Sequence, residues 1–278
     1  MGVRSGIWAT WLVAILAVGT SLVVSGNPIF PPSPSPQVRI DSPVISIEGD
    51  TEFTESNGVS GGAGTEGNPY IISNWTITAT HGFGIYVHYT TAYFVISNVV
   101  VVSAGPTSTQ YGIDLNEVRN GKIEGCVVNG SRTGIGVFSS ENVGMIDNEI
   151  NGYGTMGMDL TSCYNLTVRF NHVNDNFYGI WLHDVSSADV RENNIRGANT
   201  GILLVDCVDV TTKDNHMDTN TVPYYDNNWM GNTWPGSQKV IDGQSGRLLL
   251  LGLVVPAFVA MAFGAYILRE RRNKVAVH

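Results

Sequence analysis

One four-residue phrase recurs six times along this chain. It reads Gly84-Ile85-Tyr86-Val87, Gly112-Ile113-Asp114-Leu115, Gly134-Ile135-Gly136-Val137, Gly157-Met158-Asp159-Leu160, Gly179-Ile180-Trp181-Leu182 and Gly201-Ile202-Leu203-Leu204. Successive glycines lie 28, 22, 23, 22 and 22 residues apart. A second signal runs in phase. Asn98, Asn148, Asn171, Asn193 and Asn215 each fall 14 residues after a repeat glycine, and Gly125 takes that place at 13 in the second unit. An earlier partial copy, "IISNWTI" at 71–77, matches "VISNVVV" at 95–101, with Asn74 in the asparagine place.

A period in the twenties is the mark of a solenoid. The apolar residues alternate at Gly+1 and Gly+3, which is strand periodicity. No stretch of helical period occurs between residues 40 and 240, and no leucine-rich consensus is present. These features predict an all-β fold, a right-handed parallel β-helix of about seven coils. The Gly+1 and Gly+3 residues should point inward. Glycines should serve the corners, where they can take φ > 0 without steric cost. The recurrent asparagines should form a ladder, bonding to the coils above and below.

The ends differ in character. Residues 1–26 carry Arg4 and then the apolar run Ile7–Val24, the pattern of a signal peptide or signal anchor. Residues 27–38 form a linker, with five prolines in "NPIFPPSPSPQ". The β-helix ectodomain is assigned to 39–235, with Trp229 and Trp234 expected to cover its last coil, and a second linker to 236–247. Residues 248–268 are apolar and uncharged, long enough for a transmembrane helix, and 269–278 form a basic tail expected in the cytoplasm. This places the protein in the cell membrane by a single C-terminal span, with the β-helix extracellular or periplasmic. Between 26 and 246 nine basic residues face 23 acidic ones. A surface so acidic repels phosphate backbones and argues against nucleic acid as a partner.

The repeats resemble those of NosD-like right-handed parallel β-helix proteins of cell surfaces, over roughly 45–235. "NGVSGGAGTEGNPYIISNWTI" (57–77) and "YYDNNWMGNTW" (224–234) resemble the opening and closing segments of that family. The resemblance implies the fold. It also raises copper-site maturation as a minor alternative role, and the fold type hosts polysaccharide hydrolases and lyases.

In "GIWLHDV" (179–185), Ile180 and Leu182 read as inward, Trp181 and His183 as outward. By register, Tyr86, Asp114, Gly136, Asp159, Trp181 and Leu203 form one outward column. His88, Asn116, Phe138, Thr161, His183 and Val205 form another. Rings mixed with acids suit sugars, so Tyr86, Trp181 and His183 are candidate contacts for glycans or cell-wall polysaccharide. Asp114 and Asp159 are the candidate catalytic pair, two rungs apart with Gly136 leaving a gap for water, as an inverting glycosidase would need. No Arg or Lys stands in either column for a lyase. An ordinary exposed sheet explains the same residues, so a non-enzymatic surface, adhesion or glycan-binding role leads and a carbohydrate-active enzyme is its rival. No metal site follows from Glu149, His172 and His216, which are spread over several coils, and no cofactor is called for. Cys126, Cys163 and Cys207 read as buried free thiols. Asn129 and Asn165 are candidate glycosylation acceptors at turns; Asn74 also sits in a sequon but in the asparagine place.

Overall fold

A computed structural model describes residues 44–104, 109–152, 154–218, 222–227, 231–233 and 240–242. The signal segment, the 27–38 linker, the span at 248–268, Trp229 and Trp234 lie outside them, as do residues 105–108 in the 28-residue spacing between Gly84 and Gly112. Of the segment 236–247, expected as a linker, Val240–Asp242 is described and is instead the last strand of the first sheet, paired parallel with Val222–Asp226. Among the described residues no helix is long and apolar enough to cross a membrane.

The described chain is a parallel β-solenoid of the right-handed type, coiling through three sheets of nine, seven and seven strands. Every sheet is built from strands one coil apart in sequence, paired parallel and in register. In the first sheet, for example, Thr133–Phe138 pairs with Met156–Thr161, and that strand with Tyr178–His183. Each repeat thus supplies one rung to each sheet, and the neighbouring repeat covers its open edge.

The inward residues are those the alternation marks. Ile85, Val87, Ile113, Leu115, Ile135, Val137, Met158, Leu160, Ile180, Leu182, Ile202 and Leu204 are all fully buried. Cys126, Cys163 and Cys207 are free and buried with them. Burial of this kind stabilises by about 1.5–3 kcal/mol for each large apolar side chain.

The repeat glycines perform a different task from the one expected. None of Gly84, Gly112, Gly134, Gly157 and Gly179 has positive φ. Each faces the third sheet at close range instead. A Cβ on Gly134 would lie 2.4 Å from Ile150 Cγ2 and 2.6 Å from the carbonyl oxygen of Gly157. A Cβ on Gly84 would meet Val101 Cγ1 at 2.4 Å and the Gly112 oxygen at 2.6 Å. The constraint is contact with core and backbone, not conformational freedom. Left-handed corners fall mainly to other residues. The Gly+5 column, Tyr89, Glu117, Ser139, Ser162, Asp184 and Asp206, has φ between 49 and 58 throughout.

The N-terminal end is closed by an irregular segment. Phe53 stacks on Tyr70 at 4.5 Å and leans on Phe94 at 5.6 Å. Trp75 donates its indole N–H to the Gly58 oxygen at 2.9 Å. A solenoid needs such an atypical terminal unit, because its first coil has no neighbour to cover it.

Candidate functional site

The two outward columns of the first sheet are in register as the spacing predicts. Tyr86, Asp114, Gly136, Asp159, Trp181 and Leu203 succeed one another rung by rung, and so do His88, Asn116, Phe138, Thr161, His183 and Val205. The gap between the acids, however, is filled. A Cβ on Gly136 would lie 2.6 Å from the Phe138 ring and 2.7 Å from the Tyr111 ring. These two rings meet edge to face at 5.5 Å and cover the glycine. Counting along one column could not show this, because Tyr111 and Phe138 reach in from the columns on either side.

The acids themselves are in unlike settings. Asp114 is 2% exposed. Its Oδ2 lies 2.8 Å from His88 Nε2, and its Oδ1 is buried without a partner. Asp159 is half-buried and accepts a hydrogen bond from Thr161 at 2.9 Å. Burial pushes its carboxyl up to about 6; the Thr161 bond works against that rise and the charge of Asp114 adds to it. A carboxyl in that range can exchange a proton near neutrality, but the Tyr111 and Phe138 rings cover the glycine between it and Asp114.

The three candidate glycan contacts do not form one patch. Tyr86 belongs to an aromatic cluster with Phe83 at 5.6 Å and His88 at 4.8 Å. Trp181 packs edge to face on Tyr178 at 5.2 Å, and its indole nitrogen is buried with no partner among the described residues. His183 lies 4.0 Å from Asp206. Tyr86 and Trp181 are four rungs apart, about 19 Å at ordinary strand spacing.

Asn148, Asn171, Asn193 and Asn215 are stacked in a buried column. The Nδ2 of Asn148 donates to Asn171 Oδ1 at 3.0 Å, that of Asn171 to Asn193 Oδ1 at 2.9 Å, and that of Asn193 to Asn215 Oδ1 at 2.9 Å. Each also donates to a backbone carbonyl of the preceding coil: Ile123, Met145 and Val168 for the first three, Val190 for Asn215. Asn98 is not in this column. The corner after Gly84 has one extra residue, so Phe94 pairs with Gly121 although it stands one position further from its glycine. Asn98 therefore aligns with Gly125 and Asp147 at a left-handed position, φ 53. The ladder positions of the earlier coils are taken by Trp75, Val99 and Cys126. The lengthened corner is held by Asp50, which accepts hydrogen bonds from the Thr90 hydroxyl and the Thr91 and Ala92 amides. The Thr90 bond is the largest influence that lowers the Asp50 carboxyl.

The glycosylation candidates sit in two outer asparagine stacks. The Nδ2 of Asn165, the atom that would carry a glycan, donates to Asn142 Oδ1 at 2.7 Å. Asn129 ends a strand of the third sheet and accepts from Asn151 at 3.1 Å.

One feature was not singled out from the sequence. At the corner between the first and second sheets an open groove of about 400 Å³ runs from Tyr89 to Tyr164, past Glu117, Arg119, Ser139, Glu141 and Ser162. Both tyrosines are 54% exposed. Arg119 Nε and Glu141 Oε2 are 3.4 Å apart within it. The signal was available: Tyr89, Glu117, Ser139 and Ser162 are all Gly+5 residues. Another open groove, of about 490 Å³, lies against the N-terminal coil beside Glu66 and Tyr93.

Among the described residues no three His, Cys, Asp or Glu side chains converge on a point where a metal could sit. Glu149 and His172 are adjacent, but Asn194 separates His172 from His216. The cysteines stand apart, and burial pushes their thiols up, to about 11 for Cys126 and Cys207 and about 12 for Cys163. Burial thus favours the protonated thiol at neutral pH.

A family model described as periplasmic copper-binding protein (NosD) matches residues 53–242. No curated protein matches the sequence. One solved structure, the full-length tailspike protein 2 of Escherichia coli O157:H7 bacteriophage CAB120, is similar over 52% of this chain and 30% of its own, at 7% identity and a TM-score of 0.18. The chain spans under a third of that protein, and a likeness so slight bears on neither fold nor function.

Proposed function

Since this chain belongs to the NosD family, we propose that it is a non-enzymatic β-helix protein of the periplasm or cell exterior, tethered by residues 248–268, that holds glycans against a rigid coil. The observation that carries the non-enzymatic half is the filled gap at Gly136. A hydrolase of the inverting type needs a water between its two acids. Here the Tyr111 and Phe138 rings occupy that position, and Asp114 is buried against His88. Exposed aromatic side chains beside hydroxyls and carboxylates support the glycan half. The family description speaks of copper, but no three His, Cys, Asp or Glu side chains of the described residues converge to hold the ion, so no role through copper is derived.

The test uses the full-length chain. It is applied to a glycan array and, in parallel, incubated with neutral and acidic polysaccharides while reducing ends and unsaturated products are followed. Binding without turnover is expected. Turnover by the parent that Asp159→Asn abolishes would replace this proposal with the enzymatic one.

A further inference from the structure

We propose that the corner groove between Tyr89 and Tyr164 is the binding site for a neutral oligosaccharide lying along the coil axis. The proposal rests on the glycan-binding reading above and gives it a place and a ligand class.

Tyr89 is the first reason. It occupies a left-handed corner, φ 58, in a column otherwise filled by Glu117, Ser139, Ser162, Asp184 and Asp206. A bulky aromatic is a poor choice for that backbone region, where Asn, Asp or Gly sits at less cost. Its ring meets His88 edge to face at 5.9 Å but stays more than half exposed. Neither backbone preference nor burial accounts for a tyrosine here. Phe170 is a like ring on another left-handed corner; what sets Tyr89 apart is that it ends a groove whose other end is a second exposed tyrosine.

Tyr164 is the second. It stands at the other end of the groove, equally exposed, three coils from Tyr89. Three rungs separate the tyrosines by about 14 Å along the axis, a span suited to a short oligosaccharide with a ring stacked at each end. Between them Ser139 and Ser162 are small enough to leave the trough open. Glu117, Glu141 and Arg119 line it with groups that accept from and donate to sugar hydroxyls. The Arg119–Glu141 contact holds two of these in place.

The charge selects the class. The groove sets two carboxylates against one guanidinium, and the domain around it has 23 acidic residues to nine basic. A polyuronate or other anionic chain would be repelled.

The experiment is a calorimetric titration of the full chain, held in a detergent without a sugar head group. The probes are the di- to pentasaccharides of the gluco-, manno- and N-acetylglucosamine series, with oligogalacturonate as the anionic probe. A neutral series should bind best as a tri- or tetrasaccharide. Tyr89→Asn, which suits the left-handed backbone better than the parent residue, and Tyr164→Ser should each weaken binding about tenfold or more. Phe170→Asn is the matched control, since Phe170 is also exposed and left-handed, φ 59, but lies on another corner. It should bind as the parent does. If the Tyr89→Asn/Tyr164→Ser double variant binds normally while Trp181→Leu does not, the groove is wrong and the glycan reading stands. Preference for oligogalacturonate would overturn the ligand class. No binding of any probe by the parent would overturn both the groove and the reading beneath it.

Discussion

The two halves of the coil solve one corner in two ways. Where the second sheet hands over to the third, the later coils place Asn148, Asn171, Asn193 and Asn215, and the amides bond from coil to coil. The earlier coils place Trp75, Val99 and Cys126 at the same position and fill it with apolar atoms. The halves differ elsewhere in the same sense. The later one keeps a period of 22 or 23 and adds outer asparagine stacks, whereas the earlier one has a lengthened corner, an insertion at 103–109 and a capping segment. A corner of this fold therefore needs its volume filled and its backbone groups satisfied, but not by any one chemistry. The amide ladder is a luxury of exact periodicity. It demands a like residue at the same place in the next coil, and an extra residue nearby, as between Gly84 and Phe94, puts that place one position out of step with the count.

If that view is right, what both halves share should matter equally in both. Gly84→Ala and Gly134→Ala bring a Cβ against the same kinds of atom at the same distances. Each should cost about 3 kcal/mol or more, since one of the contacts is backbone that cannot move aside cheaply. Urea denaturation midpoints measure it. A large cost in one half and a negligible one in the other would show that the halves do not share a common cross-section.

What only the later half has should matter only there. Asn171→Ala removes the acceptor of the Asn148 amide and side chain, both at 3.0 Å, and the donor to the Met145 oxygen at 2.9 Å. All of these are buried. Leaving them unpaired should cost on the order of 3 kcal/mol. Asn227→Ala, which loses bonds to Asp206 near the surface, should cost about 1 kcal/mol. Equal shifts would mean that the column contributes packing and not hydrogen bonds.

The acids of the outward column give the comparison a pH axis. Asp114, in the earlier half, has His88 beside it; Asp159, in the later half, accepts from Thr161 and feels the charge of Asp114. Burial raises the Asp159 carboxyl from 3.8 to about 6. Below about pH 3 it is protonated in the folded and unfolded chain alike and contributes nothing. As pH rises from about 4 to about 6 the unfolded chain ionises first, so the folded state loses stability, and above 6 the loss is constant. A shift of this size amounts to on the order of 2–3 kcal/mol. Asp159→Asn should abolish that slope and be the more stable protein at pH 7, while matching the parent at about pH 3. A parent whose stability shows no fall across this window attributable to Asp159 would place that carboxyl in water.

Much of this was legible in the sequence because a solenoid writes its geometry as a period. The Gly+1 and Gly+3 residues, the outward columns and the Asn148–Asn215 column all follow from counting. What failed did so for physical reasons. Asn98 was misplaced because a count of 14 assumes corners of equal length, although the match of "IISNWTI" to "VISNVVV" already aligned it with Asn74. The glycines were assigned to left-handed corners because glycine suits them, yet the chain spends glycine where Ile150 or Val101 presses on the backbone and leaves several corners to Asn, Asp and Ser. The water gap at Gly136 was filled by rings that a one-column reading does not see. The groove is not legible in the outward columns, because Tyr89 and its partners stand at the corner of the sheet and not on its face.

The smallest effect tests the view most sharply. Cys126 is the junction of the two halves: its backbone N–H already donates to Asn148 Oδ1 at 3.0 Å, as a ladder residue's does, while its own side chain is a thiol. The Sγ lies 3.6 Å from the Ile96 oxygen, the carbonyl of the preceding coil that an amide at this place would use. Cys126→Asn therefore adds a rung with both partners of its Nδ2 in position, Ile96 O and Asn148 Oδ1, and turns its Oδ1 toward the Val99 position of the coil before. Against this stand the added volume and the lost apolar surface of a buried thiol. The two should nearly cancel, with the urea midpoint moving by no more than about 1 kcal/mol in either direction. A loss of about 3 kcal/mol would mean that the earlier half is shaped for apolar atoms and that the two corners are distinct structures. A gain would mean that the ladder stops at Asn148 for want of an asparagine and not for want of room.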